Sequence, residues 1–185
     1  DTLAWYRQVV GDDYESALMV TRMAAALAAE LANASMLPLD PAGQTRSVRA
    51  QLAEHVGDLP VAPLIDRAGR LVDRAERVHG RLIRLWEQGV FDSNELRQIN
   101  AALKQIDRAR IAPQGLPDRP WYRNLTVSPN PESGYSHWVL PGLVEASRWG
   151  TERATEAQQM VGRYDAALSR VEQTYAELER LVTGG

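Results

Sequence analysis

DRARIAPQGLPDRPWYRNLTVSPNPESGYSHWVLPG, residues Asp107 to Gly142, interrupts a chain that otherwise reads as helix. Its 36 residues hold six prolines, at 113, 117, 120, 129, 131 and 141. Each proline removes a backbone donor and fixes φ, so no helix runs through the stretch. Trp121, Tyr122, Tyr135, His137 and Trp138 crowd it, together with Asp118, Arg119 and Arg123. Disordered segments are poor in aromatics. The composition therefore predicts an ordered excursion, and long ordered loops inside compact domains are usually functional.

Helices flank the excursion on both sides. Upstream, Leu64, Ala68, Leu71, Val72, Ala75, Val78, Leu82 and Trp86 form one apolar face and predict a helix from Val61 to Glu87. Pro60 and Pro63 suit its first turn and Gly89 its end. Asp92 and Glu95 read as a capping box that opens the next helix, with Leu96, Ile99, Leu103 and Ile106 facing a core. Downstream, Leu140 to Arg148 has the length of one or two helical turns. A last helix is predicted from Thr151 to Val182, with Ala157, Met160, Val161, Tyr164, Leu168, Val171, Tyr175, Leu178 and Val182 in near-heptad order.

The amino-terminal part predicts three more elements. Residues 2–10 form a short helix capped by Asp1 or Thr2, with Leu3, Tyr6 and Val10 inward, and Gly11 breaks it. Tyr14 to Ala34 has helical spacing, and seven alanines between 24 and 34 leave a slim stripe for close packing. Met36 to Thr45 reads as a turn, followed by a helix from Ser47 to Val56 that ends at Gly57. No alternating pattern predicts a strand. The fold class is all-α: a bundle of about four long helices with one long structured Pro- and aromatic-rich loop.

At 185 residues the chain has the length of one domain, able to bury roughly 70% of its unfolded surface without a disulfide. Cysteine is absent, which removes a disulfide framework, a thiolate zinc site and a cysteine nucleophile. A net charge of −3 gives no general attraction to nucleic acid or anionic membrane. Twenty of the 21 cationic residues are arginine, the exception being Lys104. No apolar run reaches the ~20 residues of a membrane helix.

Candidate chemistry is sparse. The three histidines, His55, His79 and His137, are far apart and lack an HExxH pattern, so no metal site is expected in this chain. No GxSxG or SxxK motif marks a nucleophile, and no catalytic residue is assigned. Arg67, Arg70, Arg74, Arg77, Arg81 and Arg84 line one side of a helix at alternating spacings of three and four. Such a stripe can track phosphates. Asp66, Asp73 and Glu76 interleave with it, which favours a solvated or inter-subunit salt-bridged face.

ARIAPQGLPDRPWYRNL followed by GYSHWVLPG resembles the C-terminal helical domain of the glutamate carboxypeptidase II and transferrin receptor family, the transferrin-receptor-like dimerisation domain. The most specific block is Gly115, Leu116, Pro117, Asp118, Arg119 and Pro120, continued by Trp121, Tyr122 and Arg123. A second anchor is Glu30 to Asn33 running into Leu37, Pro38, Leu39 and Asp40. Asp1, Thr2, Trp5, Tyr6, Arg7, Gly11 and Asp12 resemble the family's stretch just beyond its last zinc-binding histidine.

The resemblance implies that residues 1–185 are a single dimerisation domain cut from a longer, extracytoplasmic protein. It implies a non-catalytic helical domain that dimerises and closes the active site of a zinc-dependent carboxypeptidase or aminopeptidase. Zinc would belong to the parent's peptidase domain, with no cofactor in this chain. The implied partners are a second copy, through the bundle, and that peptidase domain, with no nucleic acid or membrane contact. Gly115, Pro117, Asp118, Arg119, Pro120 and Tyr122 would shape the loop. Tyr135 falls on the tyrosine of the family's Lys-Tyr pair, which recognises the substrate's C-terminal glutamate carboxylate, and Gly134 stands at the lysine position. Tyr135 is then either a pocket-lining residue or a packed one. If Asp118 is buried and hydrogen-bonded, its truncation should be costly. For dimerisation, Ile65, Ile83 and Leu85 broaden one helix beyond its core stripe, while Tyr175 can serve core or interface. Two alternatives remain: a free-standing helical module that binds protein or nucleic acid, and a domain of an inactive receptor-like relative.

Overall fold

The computed structural model describes residues 2–54 and 59–183. The chain divides into two compact units, with the boundary between Pro38 and Leu39. Among the described residues no helix is long and apolar enough to cross a membrane.

In the first unit, α1 (Leu3–Val10) starts at Thr2, whose hydroxyl accepts from the Trp5 amide at 3.2 Å. Gly11 ends it with φ of 97°, a left-handed value that costs a glycine little. Leu3 and Val10 are exposed, contrary to the inward face expected of them. Only Tyr6 is covered, by stacking on Tyr14 with ring centroids 5.6 Å apart. Two helical turns offer too little surface to bury a whole stripe. The second helix, α2 (Glu15–Asn33), forms where its periodicity predicts, yet all of its residues are exposed, including Leu18, Met23, Leu27 and Leu31.

The second unit is a helical bundle. It comprises α3 (Pro41–Glu54), α4 (Ala62–Glu87), α5 (Ser93–Arg108), α6 (Pro141–Ala146) and α7 (Ala154–Thr183). A single 3-10 turn, Thr151–Arg153, leads into α7. The apolar face of α4 is buried as its spacing requires, from Leu64 to Leu82. Trp86, expected on that face, is 38% exposed, because it lies in the last turn before Gly89. The capping box of α5 is present in both directions. Asp92 accepts from the Asn94 and Glu95 amides, and Glu95 accepts from the Asp92 amide at 2.8 Å.

Two elements depart from expectation. Helix α3 starts at Pro41, inside the stretch read as a turn. Proline suits a first helical position, and the Asp40 carboxylate accepts from the Gly43 amide at 2.8 Å, so the turn-forming residues begin a helix. The expected end of this helix, at His55 to Gly57, lies outside the described residues. The excursion also holds a small antiparallel hairpin, β1 (Val127–Pro129) with β2 (His137–Val139), too short to leave a period-two pattern.

Ion pairs set the helix directions. Arg67 binds Asp165 and Glu172, and Arg74 binds Glu179, so pairing indices rise together and α4 and α7 run the same way. Arg46 of α3 reaches Glu76 while Asp40 lies beside His79, so α3 runs opposite to α4. Tyr175, a candidate for either core or interface, is fully buried. Its hydroxyl lies 2.8 Å from both the Pro41 carbonyl oxygen and the Thr45 hydroxyl.

Tyr175→Phe removes this tie while keeping the ring. It should cost about 0.5–1.5 kcal/mol, because a buried hydrogen bond is lost while the Thr45 hydroxyl still donates to the Pro41 carbonyl at 2.8 Å. Urea denaturation with an unchanged m-value would report it.

Candidate functional site

The excursion between α5 and α6 has almost no regular ladder, so its backbone groups must find other partners. Two internal bonds close its base, from the Ala112 amide to the Arg123 carbonyl at 2.9 Å and from the Leu125 amide to the Arg110 carbonyl at 3.1 Å. Further along, the Leu116 amide donates to the Tyr122 carbonyl at 2.8 Å. Asn124 turns the chain by accepting from the Thr126 amide at 2.7 Å.

Helix α7 supplies further partners. The Arg163 guanidinium donates to the Gly115 carbonyl at 2.7 Å. Arg170 donates to the carbonyls of Ala109 and Ile111 at 3.0 and 3.1 Å. Tyr164 ties the middle of the excursion to its end: it donates to the Leu125 carbonyl at 2.8 Å and accepts from the Gly142 amide at 3.1 Å. Burial pushes the Tyr164 phenol well above its ordinary range, so it stays protonated and able to donate. Gly142 itself faces Met160, whose sulfur would lie 2.5 Å from an added Cβ.

The GLPDRP block forms a tight double turn. Gly115 has φ of 68°, and a Cβ there would collide with the Pro120 carbonyl. Pro117 is half-buried and Pro120 exposed. Tyr122 is half-buried and donates to the Val127 carbonyl at 2.8 Å. Arg119 is the inward member: it pairs with Glu145 of α6, and the two side chains are 18% and 15% exposed. Asp118 is the outward one. It takes a left-handed φ of 57°, its side chain is 78% exposed, and its carboxylate reaches Arg153 at 3.4 Å. The condition for a costly Asp118 truncation, burial, is therefore not met.

The hairpin tip carries Gly134 and Tyr135. Asn130 holds it closed through amide–carbonyl bonds to Ser136 and Gly134, at 3.0 and 2.9 Å. Gly134 has φ of 69° with open space around it. Tyr135 is fully exposed among the described residues. Behind the tip, Arg148 pairs with Glu132 at 2.7 Å and lies over the Trp138 ring at 4.7 Å. Arg153 stacks on Trp149 at 3.9 Å. Trp121 stands 74% exposed on the same excursion.

The arginine stripe of α4 is half structural. Arg67 and Arg74 bind α7 carboxylates, and Arg81 donates to the Val182 carbonyl at 2.5 Å. Arg70, Arg77 and Arg84 are exposed. The sequence pointed to an inter-subunit or solvated face, and missed that acidic residues of α7 recur at the same seven-residue interval. His79 is partly exposed beside Asp40 at 3.9 Å, and His137 is exposed on β2. His55 lies outside the described residues. Among the described residues no three His, Cys, Asp or Glu side chains gather as a metal-binding group.

The sequence matches the family described as the transferrin receptor-like dimerisation domain over residues 59–176, well over half of its length. The chain belongs to that family. It is also similar to a protein of Zea mays named as a probable glutamate carboxypeptidase, at 23% identity over 176 residues. That alignment covers 89% of this chain and 24% of the maize protein. A probable glutamate carboxypeptidase of Arthroderma benhamiae is 28% identical over 82 residues, covering 44% of this chain and 11% of the fungal protein. The chain thus spans about a quarter or less of the length of these curated relatives.

Substitutions within the GLPDRP turn should separate its inward and outward residues. Gly115→Ala meets both a left-handed backbone and the Pro120 carbonyl, and should cost about 1–3 kcal/mol or more. Asp118→Gly keeps the left-handed backbone and should stay within about 0.5 kcal/mol of the parent. Thermal melts of the two variants would check the contrast. Tyr164 adds a pH signature. Its folded pKa is raised, so its contribution is intact below the ordinary tyrosine pKa and declines as pH rises above about 10. Tyr164→Phe should make stability less dependent on pH in that range.

Proposed function

We propose that this chain, as a member of the transferrin receptor-like dimerisation family, is the non-catalytic helical part of a longer glutamate-carboxypeptidase-like zinc peptidase. Its bundle would present a helical face to a second copy, and its 113–142 loop would close the parent's substrate pocket. The family match over residues 59–176 carries this reading. The names of the maize and fungal relatives support a peptidase parent. Zinc would be bound by parent residues outside this chain.

Within the pocket, Tyr135 is the residue proposed to meet substrate. Its phenol is fully exposed at the tip of a closed hairpin, which suits a group that donates to a carboxylate arriving from another domain. Gly134 stands beside it with open space and no charge. A phenol alone gives a weaker anchor than a phenol with a cation, so the pocket would accept C-terminal residues other than glutamate. For self-association, the half-buried Ile65, Ile83 and Leu85 and the exposed Trp86 of α4 are large apolar residues outside its buried face. Tyr175 is not available, since it belongs to the core. The exposed Arg70, Arg77 and Arg84 would form the polar rim. A nucleic-acid-binding reading loses ground, because three arginines of the stripe are engaged by α7.

Three measurements test this. The chain, washed with chelator, should retain no stoichiometric zinc and should not hydrolyse dipeptides; turnover by the chain alone would refute the non-catalytic role. Light scattering across concentrations should find a dimer, and a strict monomer at ~100 μM would remove the bundle as the source of pairing. In the longer parent, Tyr135→Ala should raise KM roughly tenfold or more with little change in kcat, as expected for loss of a hydrogen bond to a charged group. An unaltered KM would exclude Tyr135 from the pocket.

A further inference from the structure

Helix α2 carries no buried residue, and neither does α1. Glu15, Arg22 and Glu30 are the only charged residues among the 19 of α2. At about 3.6 residues per turn, Met19, Met23, Leu27 and Leu31 line one side of the helix. Ala17, Ala24, Ala28 and Ala32 line another. Leu18, Met19, Val20, Met23, Leu27 and Leu31 are each 41–64% exposed. Soluble proteins rarely leave a continuous apolar surface of this length uncovered. A helix that is apolar on more than one side belongs to the interior of a larger domain.

Three observations bear on what covers it. Residues 39–183 form a compact unit with a core of their own, in which Leu52, Leu64, Ile99, Leu143 and Tyr175 are buried. The match to the dimerisation family begins at residue 59, beyond the first unit altogether. The maize alignment leaves only about a tenth of this chain uncovered, so it reaches into residues 1–38, and most of the maize protein lies outside it. The first unit is thus shared with a much longer relative while standing apart from the dimerisation family's own segment. A second copy would cover one side of α2 and leave the other bare. A membrane surface takes a helix with one strongly charged face, which three charges of mixed sign do not make.

We propose that residues 2–38 are an interior piece of the peptidase part of the longer parent, with α2 enclosed between two of its apolar layers. This rests on the reading of the chain as part of such a parent. The bulky side of α2 packs against side chains there, and its alanine side lets a neighbouring backbone come close. The dimerisation domain then begins near Leu39, and α2 fastens it to the part that precedes it.

Amide hydrogen exchange on the 185-residue chain and on the unsubstituted parent tests this. The α2 amides should exchange near unfolded-chain rates in the 185-residue chain at every concentration, and roughly 100-fold or more slower in the parent. Leu27→Glu and Ala28→Leu should each move the Tm of the 185-residue chain by less than about 2 °C and lower that of the parent by roughly 5–10 °C. Should a substituted parent fail to fold, exchange in the unsubstituted pair decides. Protection of α2 in the 185-residue chain that grows with concentration assigns the cover to a second copy. Protection independent of concentration assigns it to the chain's own residues, and rapid exchange in the parent leaves α2 bare. Each of these three results overturns the proposal. Zinc content and dipeptide hydrolysis of the parent are read alongside: a zinc-free, inactive parent with α2 protected refutes the peptidase reading and keeps α2 as an interior helix, whereas an active parent with α2 unprotected does the reverse.

Discussion

The Tyr164 hydroxyl, donating to the Leu125 carbonyl and accepting from the Gly142 amide, is the contact on which the excursion depends. A proline-rich chain cannot satisfy its own backbone, since it lacks donors and cannot enter a helix or a long ladder. Something rigid must supply partners, and the early turns of α7 do so with Arg163 and Tyr164. The same helix then turns to a different task. Its Asp165, Glu172 and Glu179 face α4. One helix thus unites the packed bundle and the irregular loop, and neither is anchored without it.

The pairing between α4 and α7 repeats with a period of seven. Arg67, Arg74 and Arg81 lie opposite Asp165, Glu172, Glu179 and the Val182 carbonyl. Two helices running the same way stay in register over such a repeat, and charges on their flanks fix that register. Exposed ion pairs contribute little stability individually. These are partly covered, with arginine side chains 26–27% exposed at Arg67 and Arg74, and their number makes a slip by one turn costly. Their role is to specify alignment, while the apolar faces from Leu64 to Leu82 and Ala157 to Val182 supply the driving force.

Long periodic elements were legible in the sequence because many residues vote for each of them. Helices α4, α5 and α7 show this, as does the Asp92–Glu95 capping box, which is local chemistry. What escaped reading depends on partners distant in sequence. Pro41 and Gly43 look like a turn until Asp40 caps them and Tyr175 closes over them. Asp118 and Arg119 are adjacent and both charged, and only the position of Glu145 decides which one turns inward. The three-residue strands of the hairpin are below the length at which alternation can be seen. The candidate site was marked in the sequence as a segment, with Gly134 and Tyr135 proposed through motif resemblance. Its scaffolding by Arg163, Tyr164 and Arg170 was not, since these sit within an ordinary helical pattern.

Full exposure of Tyr135 would be of no use on a floppy loop. A side chain that must meet a ligand from another domain loses rotamer and backbone freedom on binding, and that loss subtracts from affinity. Here much of the backbone part is already spent. The tip is closed by Asn130, and Arg148, just beyond α6, clamps it through Glu132 and Trp138. The excursion beneath is tied to α7 at its start by Arg170 and at its middle and end by Tyr164. What remains free is the tyrosine's own two torsions, a small cost for an aromatic. A phenol presented in this way can discriminate by position even without a neighbouring cation. The prolines therefore act indirectly: by forbidding a helix through the stretch they leave carbonyls for α7 to hold, and the short hairpin built on that base carries Tyr135 at its tip.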